Sequence, residues 1–192
     1  MITQQVMYFH QNIRLNDTSY TGKRTYFVTQ CCHERRRYFA DPVRCEWLLR
    51  HLRGISTAHS FAILAYCIMP NHIHLLVDGL LPTSDFLHFM KTLKIKTSRE
   101  FASGNGTSLW QKKYFDHILR PKESMDLVAW YIWLNPIRRG LVRTPGLYPF
   151  AGSFTTTIPK CLVSPGIWTP PYEPKERPPQ KAASTKSSAY HQ

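Results

Sequence analysis

The chain has 192 residues, 43% of them hydrophobic, and its 25 Lys and Arg against 12 Asp and Glu give a formal net charge of +13. That length supplies one ordinary core without staples, and the charge points to a polyanion, nucleic acid first, because basic side chains release its condensed counterions. The five cysteines (Cys31, Cys32, Cys45, Cys67 and Cys161) are odd in number and lack CxxC spacing, which speaks against a disulfide scaffold or a Cys-rich zinc site.

In chain order, residues 1–22 are polar and read as a lead-in arm. The first residues have no apolar signal core, and no apolar run is long enough to span a bilayer, so a cytoplasmic, nucleoid-associated protein without a membrane partner is expected. Thr25 to Cys31 is rich in β-branched and aromatic residues and reads as a strand. The basic cluster Arg35, Arg36 and Arg37 falls in a loop. Asp41-Pro42 then offers an N-cap and a first-turn proline for a helix over Val43 to Thr57. Phe61 to Ile68 is an apolar run of strand length, and Met69-Pro70-Asn71 turns it back into a second strand, His72 to Gly79. Thr83 or Ser84 can cap a second helix running to about Ala102, which Gly104-Asn105-Gly106 ends. A short strand is expected near Tyr114 to Leu119. A third helix is expected from Ser124 to about Asn135, stopped by Pro136.

The order β-α-β-β-α-β-α predicts an α+β fold: a ferredoxin-like antiparallel sheet with helices on one face and the third helix at the C-terminal end. Half of the fourteen prolines lie beyond residue 155, mixed with Lys, Ser and Thr. The chain therefore divides into an arm (1–22), a folded domain (23–154) and a Pro-rich tail (155–192) expected to be extended or disordered.

Two patterns carry chemistry. Strand residues i and i+2 share a face, so His72 and His74 stand side by side while Ile73, Leu75 and Val77 turn to the core. Two imidazoles can hold one divalent cation. Read alone, the pair fits exposed structural histidines better, and HxH also occurs in amidohydrolase barrels and cupins, for which this chain is too short or too helical. The second pattern is Tyr131 and Asn135, placed on one helix face by their i, i+4 spacing. A phenol nucleophile beside an amide oxygen suits Mg2+ or Mn2+ chemistry. The same residues, in a helix apolar nearly all round, fit a core aromatic and a helix C-cap.

Four blocks, YFVTQ, YCIMPNHIHLLV, LWQKKYFDHILR and YIWLNPIRRGLV, resemble the single-tyrosine HUH transposases in order and spacing, over about residues 20–154. The ending NPIRRG is most similar to the REP-associated tyrosine transposases, an IS200-like branch tied to short palindromic repeats. The resemblance implies that His72 and His74 bind the divalent metal, Mg2+ or Mn2+, that Tyr131 is the nucleophile, and that Asn135 is the third ligand, a position that is Gln in some relatives. It implies a metal-dependent endonuclease and strand transferase for single-stranded or hairpin DNA, working as a monomer or homodimer through a 5′-phosphotyrosine. The chain departs from the family at Trp130, where relatives often carry a polar residue, and in its Pro-rich tail. Arg35, Arg36, Arg37, Lys91, Lys94, Lys112, Lys113, Arg138 and Arg139 are expected to contact phosphates. His117 lies near this site or, with Asp116, braces the fold. Two other readings compete: a nucleic-acid-binding module without catalysis, which a buried tyrosine would favour, and a metal-dependent RNA endonuclease that forms no covalent adduct.

Overall fold

The structure, a computed structural model, describes residues 17–144, 146–158 and 166–171. Five strands, β1 (Thr25–Cys31), β2 (Phe61–Met69), β3 (His72–Gly79), β4 (Phe115–Ile118) and β5 (Ala151–Gly152), form one sheet. All pairings are antiparallel, in the order β4-β1-β3-β2-β5. The first four strands take the ferredoxin-like arrangement. The edge strand β5 is added beyond β2.

Helix α1 (Pro42–Ala58) starts as expected, with the Asp41 carboxylate accepting from the Val43 N–H at 3.0 Å and Pro42 in the first turn. Helix α2 (Phe86–Asn105) is capped by Asp85, which accepts from the His88 N–H, and not by Thr83 or Ser84. Ser84 is occupied elsewhere: its buried hydroxyl donates to the Ser60 carbonyl at 2.8 Å and accepts from Leu81 N–H. The helix closes at Gly106, whose positive φ of 61° suits glycine.

Helices α1 and α2 lie together on one face of the sheet, over a core that includes Tyr26, Val28, Leu75, Phe86 and Phe89. Tyr26 stacks on Phe86 with ring centroids 4.0 Å apart. Tyr20 joins this stack and is buried, so the end of the expected N-terminal arm belongs to the core. Helix α3 (Met125–Trp133) takes the opposite face, packing on Phe27, Ala65, Cys67 and Leu76. A bulge at Leu64 shifts the β2 register between Ile63 and Ala65. The extra residue puts Ile63 into the first core and Ala65 into the second, a change of face that strict alternation would forbid.

Pro136 does not stop the chain's helical course. It sits in the first turn of a short helix, α4 (Asn135–Arg138), where its missing N–H is not needed. Within the Pro-rich tail, residues 166–171 run without regular structure against α3 and bury Pro170. The remaining tail residues, apart from 155–158, lie outside the described residues, as do residues 1–16. Cys31, Cys32, Cys45 and Cys67 are buried free thiols, and Cys161 lies outside the described residues. Among the described residues no helix is long and apolar enough to cross a membrane.

Candidate metal and tyrosine site

The strand alternation that separates His72 and His74 from Ile73, Leu75 and Val77 operates as the sequence requires. The three aliphatics enter the α1/α2 core, and both imidazoles stand on the α3 side of β3. Their Nε2 atoms lie 3.1 Å apart. Each ring is held from behind. The Nδ1 of His72 lies 2.6 Å from Asn71 Oδ1, and that of His74 lies 2.9 Å from the Thr29 hydroxyl, its cross-strand neighbour. The hairpin tip is pinned in turn, by Cys32 N–H to the Asn71 carbonyl and Phe39 N–H to the Pro70 carbonyl.

These contacts assign tautomers. An amide oxygen only accepts, so His72 carries its proton on Nδ1 and presents a bare Nε2 lone pair. The Thr29 hydroxyl can donate or accept, so His74 can also present a bare Nε2. Both rings are only 6% exposed. Burial, reinforced by Arg35 and Arg139, pushes His72 down to about 3. Burial, then His72 and the arginines Arg138 and Arg139, holds His74 well below the usual range. Both imidazoles are therefore neutral at neutral pH, the form that ligates a metal.

The donor set fits a small divalent cation. Two adjacent ligands about 2.1 Å from an octahedral metal lie about 3 Å apart, close to the observed Nε2 separation. Hydrogen-bonded partners on the far ring nitrogens are the usual support for metal-bound imidazoles. Among the described residues no group of three or more His, Cys, Asp or Glu side chains is placed to hold a metal. Asn135 is the other polar residue that the sequence puts with this site. It is buried, one turn beyond Tyr131, and its Nδ2 donates to the Tyr131 carbonyl at 3.2 Å.

Tyr131 lies beside the pair, its ring centroid 6.1 Å from that of His74 and 5.7 Å from that of Phe27. Helix α3 is fixed over this spot by the Trp133 indole, which donates to the Gly152 carbonyl at 2.9 Å. A side chain at Gly152 would crowd this contact, since an added Cβ would lie 2.6 Å from the Tyr66 hydroxyl and one of the two would have to shift. Arg138 grips the tyrosine twice. Its guanidinium carbon sits 4.1 Å from the ring centroid, and its Nη2 donates to the Tyr131 carbonyl at 2.7 Å. Tyr131 is 7% exposed, and Trp168 from the tail is one of the rings covering it, at 5.2 Å. Trp130 is buried against Trp133, edge to face.

The expected phosphate-binding residues divide. Arg35, Arg138 and Arg139 are close enough to bear electrostatically on the histidines. Glu34 and Arg35 both adopt positive φ, 51° and 53°, a costly backbone for side-chain-bearing residues that recurs at functional sites. Arg37, Lys112 and Lys113 are exposed. Arg36 is also exposed and pairs with Glu34 at 2.9 Å. Lys91 is exposed on α2, the helix on the other face of the sheet. Lys94 reaches from α2 to the loop before β4, where its ammonium donates to the Gln111 and Lys112 carbonyls at 2.9 and 2.7 Å. Asp116 accepts from the Tyr20 hydroxyl and braces the fold. His117 pairs with Glu123 at 2.9 Å and lies next to Trp168.

Sequence reasoning missed Thr29, Asn71, Glu123 and Trp168. Asn71 alone was open to it, as the polar residue abutting His72 in the turn. Thr29 acts through register, and Trp168 is a single aromatic in a segment whose composition reads as tail.

The model of the family "Transposase IS200 like" matches residues 21–134. A Haemophilus influenzae protein provisionally assigned as a REP-associated tyrosine transposase is 27% identical over 123 residues, covering 57% of this chain and 68% of that protein. The REP-associated tyrosine transposase of Escherichia coli K12 is 27% identical over 105 residues, 54% of this chain and 62% of that protein; the chain thus spans less than two thirds of that relative. The solved structure of a REP-associated tyrosine transposase bound to a REP hairpin superposes with a TM-score of 0.60 at 21% identity, over 73% of this chain and 81% of that one. This last likeness concerns the fold.

Proposed function

Because the chain belongs to the family of IS200-like transposases, we propose that it is a metal-dependent endonuclease and strand transferase for single-stranded DNA, which cuts at hairpin or repeat DNA through a 5′-phosphotyrosine on Tyr131. One observation carries the reading: two neutral imidazoles present their Nε2 atoms 3.1 Å apart, with the Tyr131 ring 6.1 Å from the nearer of them. A relative of the same fold was solved on a REP hairpin, and the net charge of +13 suits such a partner.

His72, His74 and the Asn135 amide would hold a divalent cation, Mg2+ or Mn2+, which when bound polarises the scissile phosphate. The protein's own groups do the rest. A free phenol has a pKa near 10, so the Tyr131 hydroxyl gives up its proton to solvent as it attacks, while the Arg138 guanidinium, 4.1 Å from the ring centroid, holds the ring in place. The Tyr131 oxygen attacks phosphorus, the P–O3′ bond breaks, and O3′ leaves as an alkoxide that takes up a proton. One phosphodiester replaces another, so an incoming 3′-OH can reverse the step and join strands without a nucleotide cofactor. Arg35 and Arg139 flank the histidines as phosphate contacts.

A binding module without catalysis is the second reading, favoured by the burial of Tyr131. Trp168, which contributes to that burial, comes from the tail and packs on the edge of the α3 core. The test is a covalent-adduct assay on a denaturing gel with labelled hairpin oligonucleotides and Mg2+ or Mn2+. A metal-dependent protein–DNA band is expected with the wild type and absent from Tyr131→Phe, which should still bind DNA. Cleavage by Tyr131→Phe would sink the nucleophile assignment. Cleavage without any adduct would favour a hydrolytic nuclease, and binding alone would favour the module.

A further inference from the structure

Residues 166–171 return from the tail to lie on α3. Gly166 abuts Leu127 so closely that an added Cβ would stand 3.1 Å from Leu127 Cδ2. Ile167 is left 92% exposed, whereas Trp168 turns inward and Pro170 is buried. Of these neighbouring apolar side chains, the indole occupies the slot and the isoleucine does not.

The slot is aromatic on several sides and polar at one edge. Phe27 and Tyr131 meet the indole edge to face, with centroids at 5.0 and 5.2 Å and interplanar angles of 66° and 75°. His117 lies at 6.5 Å and 39°. At the edge, the indole N–H donates to Glu123 Oε1 at 3.3 Å. Glu123 is built in as a fixed acceptor: both its oxygens lie 2.9 Å from His117 Nε2, and Oε2 accepts from the Arg120 N–H at 2.8 Å. Burial opposes its ionisation, but those donors outweigh burial and lower its pKa, so it is a carboxylate at neutral pH.

A planar aromatic with an N–H aimed at a carboxylate is also a description of an unstacked nucleobase. Enzymes that extrude a base read it by hydrogen bonds at its Watson–Crick edge and by packing among aromatic side chains. We propose that the slot filled by Trp168 is a nucleobase subsite beside Tyr131, which takes an unpaired guanine and which the tail closes when DNA is absent. Guanine is favoured because N1–H and N2–H are adjacent donors that can meet one carboxylate together. Adenine and cytosine offer a single exocyclic amine. Thymine flanks its one N–H with two carbonyls that repel Glu123. The indole's lone contact is longer than the usual N–H···O range, so a doubly bonded guanine can replace it. Placing this base next to the cut phosphate rests on the Proposed function; the existence of the subsite does not.

The experiment titrates the full-length, metal-free protein with dGMP or dTMP while following the five tryptophan indole N–H signals by 15N NMR, the Trp168 signal being identified by its loss in Trp168→Phe. The two probes share a phosphate, so their difference reports the base. With the wild type, dGMP should move the Trp168 signal and dTMP at equal concentration should not. Trp168→Ala should bind dGMP more tightly, by roughly tenfold if the tail covers the slot nine-tenths of the time. Glu123→Gln should lose the preference for dGMP over dTMP; if that variant fails to give a dispersed spectrum, the wild-type and Trp168 results decide. Equal affinities of wild type and Trp168→Ala for dGMP, an unmoved Trp168 signal, or equal responses to the two nucleotides would each overturn the proposal. No cleavage enters this readout. A protein that binds dGMP here yet never forms an adduct keeps the subsite and loses the strand-transfer reading, and the reverse result does the opposite.

Discussion

Replacing Thr29 by valine removes one hydroxyl from a buried strand position while keeping the β-branched shape. In the native protein that hydroxyl lies 2.9 Å from Nδ1 of His74, and Thr29 itself is 7% exposed. Valine leaves the imidazole nitrogen without this partner in a site that water enters poorly. Two effects follow, and they separate. The unpaired buried nitrogen costs folding stability of about 1–3 kcal/mol. Loss of the support that orients a ligating imidazole lowers metal affinity by about 10–100-fold, which corresponds to about 1.4–2.7 kcal/mol. Mn2+ binding to wild type, Thr29→Val and Thr29→Ser would be measured by calorimetry at neutral pH, alongside urea unfolding of the metal-free proteins. Thr29→Ser retains the hydroxyl and should stay near the wild type in affinity. If Thr29→Val unfolds earlier but binds Mn2+ as tightly as the wild type, the bond between Thr29 and His74 is purely structural. The inference that the histidines are aimed at a metal from behind then falls.

Two further predictions rest on which groups are committed elsewhere. Arg35→Ala and Arg139→Ala should each reduce the slope of log affinity against log salt for hairpin DNA by about 1, whereas Lys94→Ala should leave the slope unchanged and lower stability by about 1–2 kcal/mol, since two carbonyls lose their donor; a reduced slope for Lys94→Ala would return that residue to the DNA contacts. Gly152→Ala should cost about 1–3 kcal/mol, because its Cβ would stand 2.6 Å from the Tyr66 hydroxyl and the strain is relieved by displacing β5 from Tyr66. The same movement drags the carbonyl that anchors Trp133, so the adduct rate should fall by up to about 100-fold; a rate unchanged in a destabilised variant would show that β5 does not position α3.

What could be read before the fold was known, and what could not, divides along a physical line. His72 and His74 are related by the two-residue period of a strand, and Tyr131 and Asn135 by the turn of a helix, so each pair's common face is fixed by local geometry. The α+β order was legible for the same reason, from hydrophobic period and turn residues. The exceptions to local reading were competitions. Pro136 reads as a stop but fits a first helical turn, and Ser84 reads as a candidate cap but is held by the Ser60 carbonyl. The residues that orient and enclose the site come mostly from other elements. Thr29 reaches His74 only through the register of β1 on β3, and Glu123 and Trp168 meet beside Tyr131 from a loop and the tail. Composition describes the tail correctly as proline-rich and still conceals the docking of Trp168, because composition averages over a segment while an aromatic slot selects a particular side chain. On the proposed function, the chemistry of this site is thus written in two short motifs, and its control is distributed over contacts that exist only after folding. Substitutions in the motifs should therefore abolish the reaction, and substitutions at Thr29, Glu123 and Trp168 should tune it.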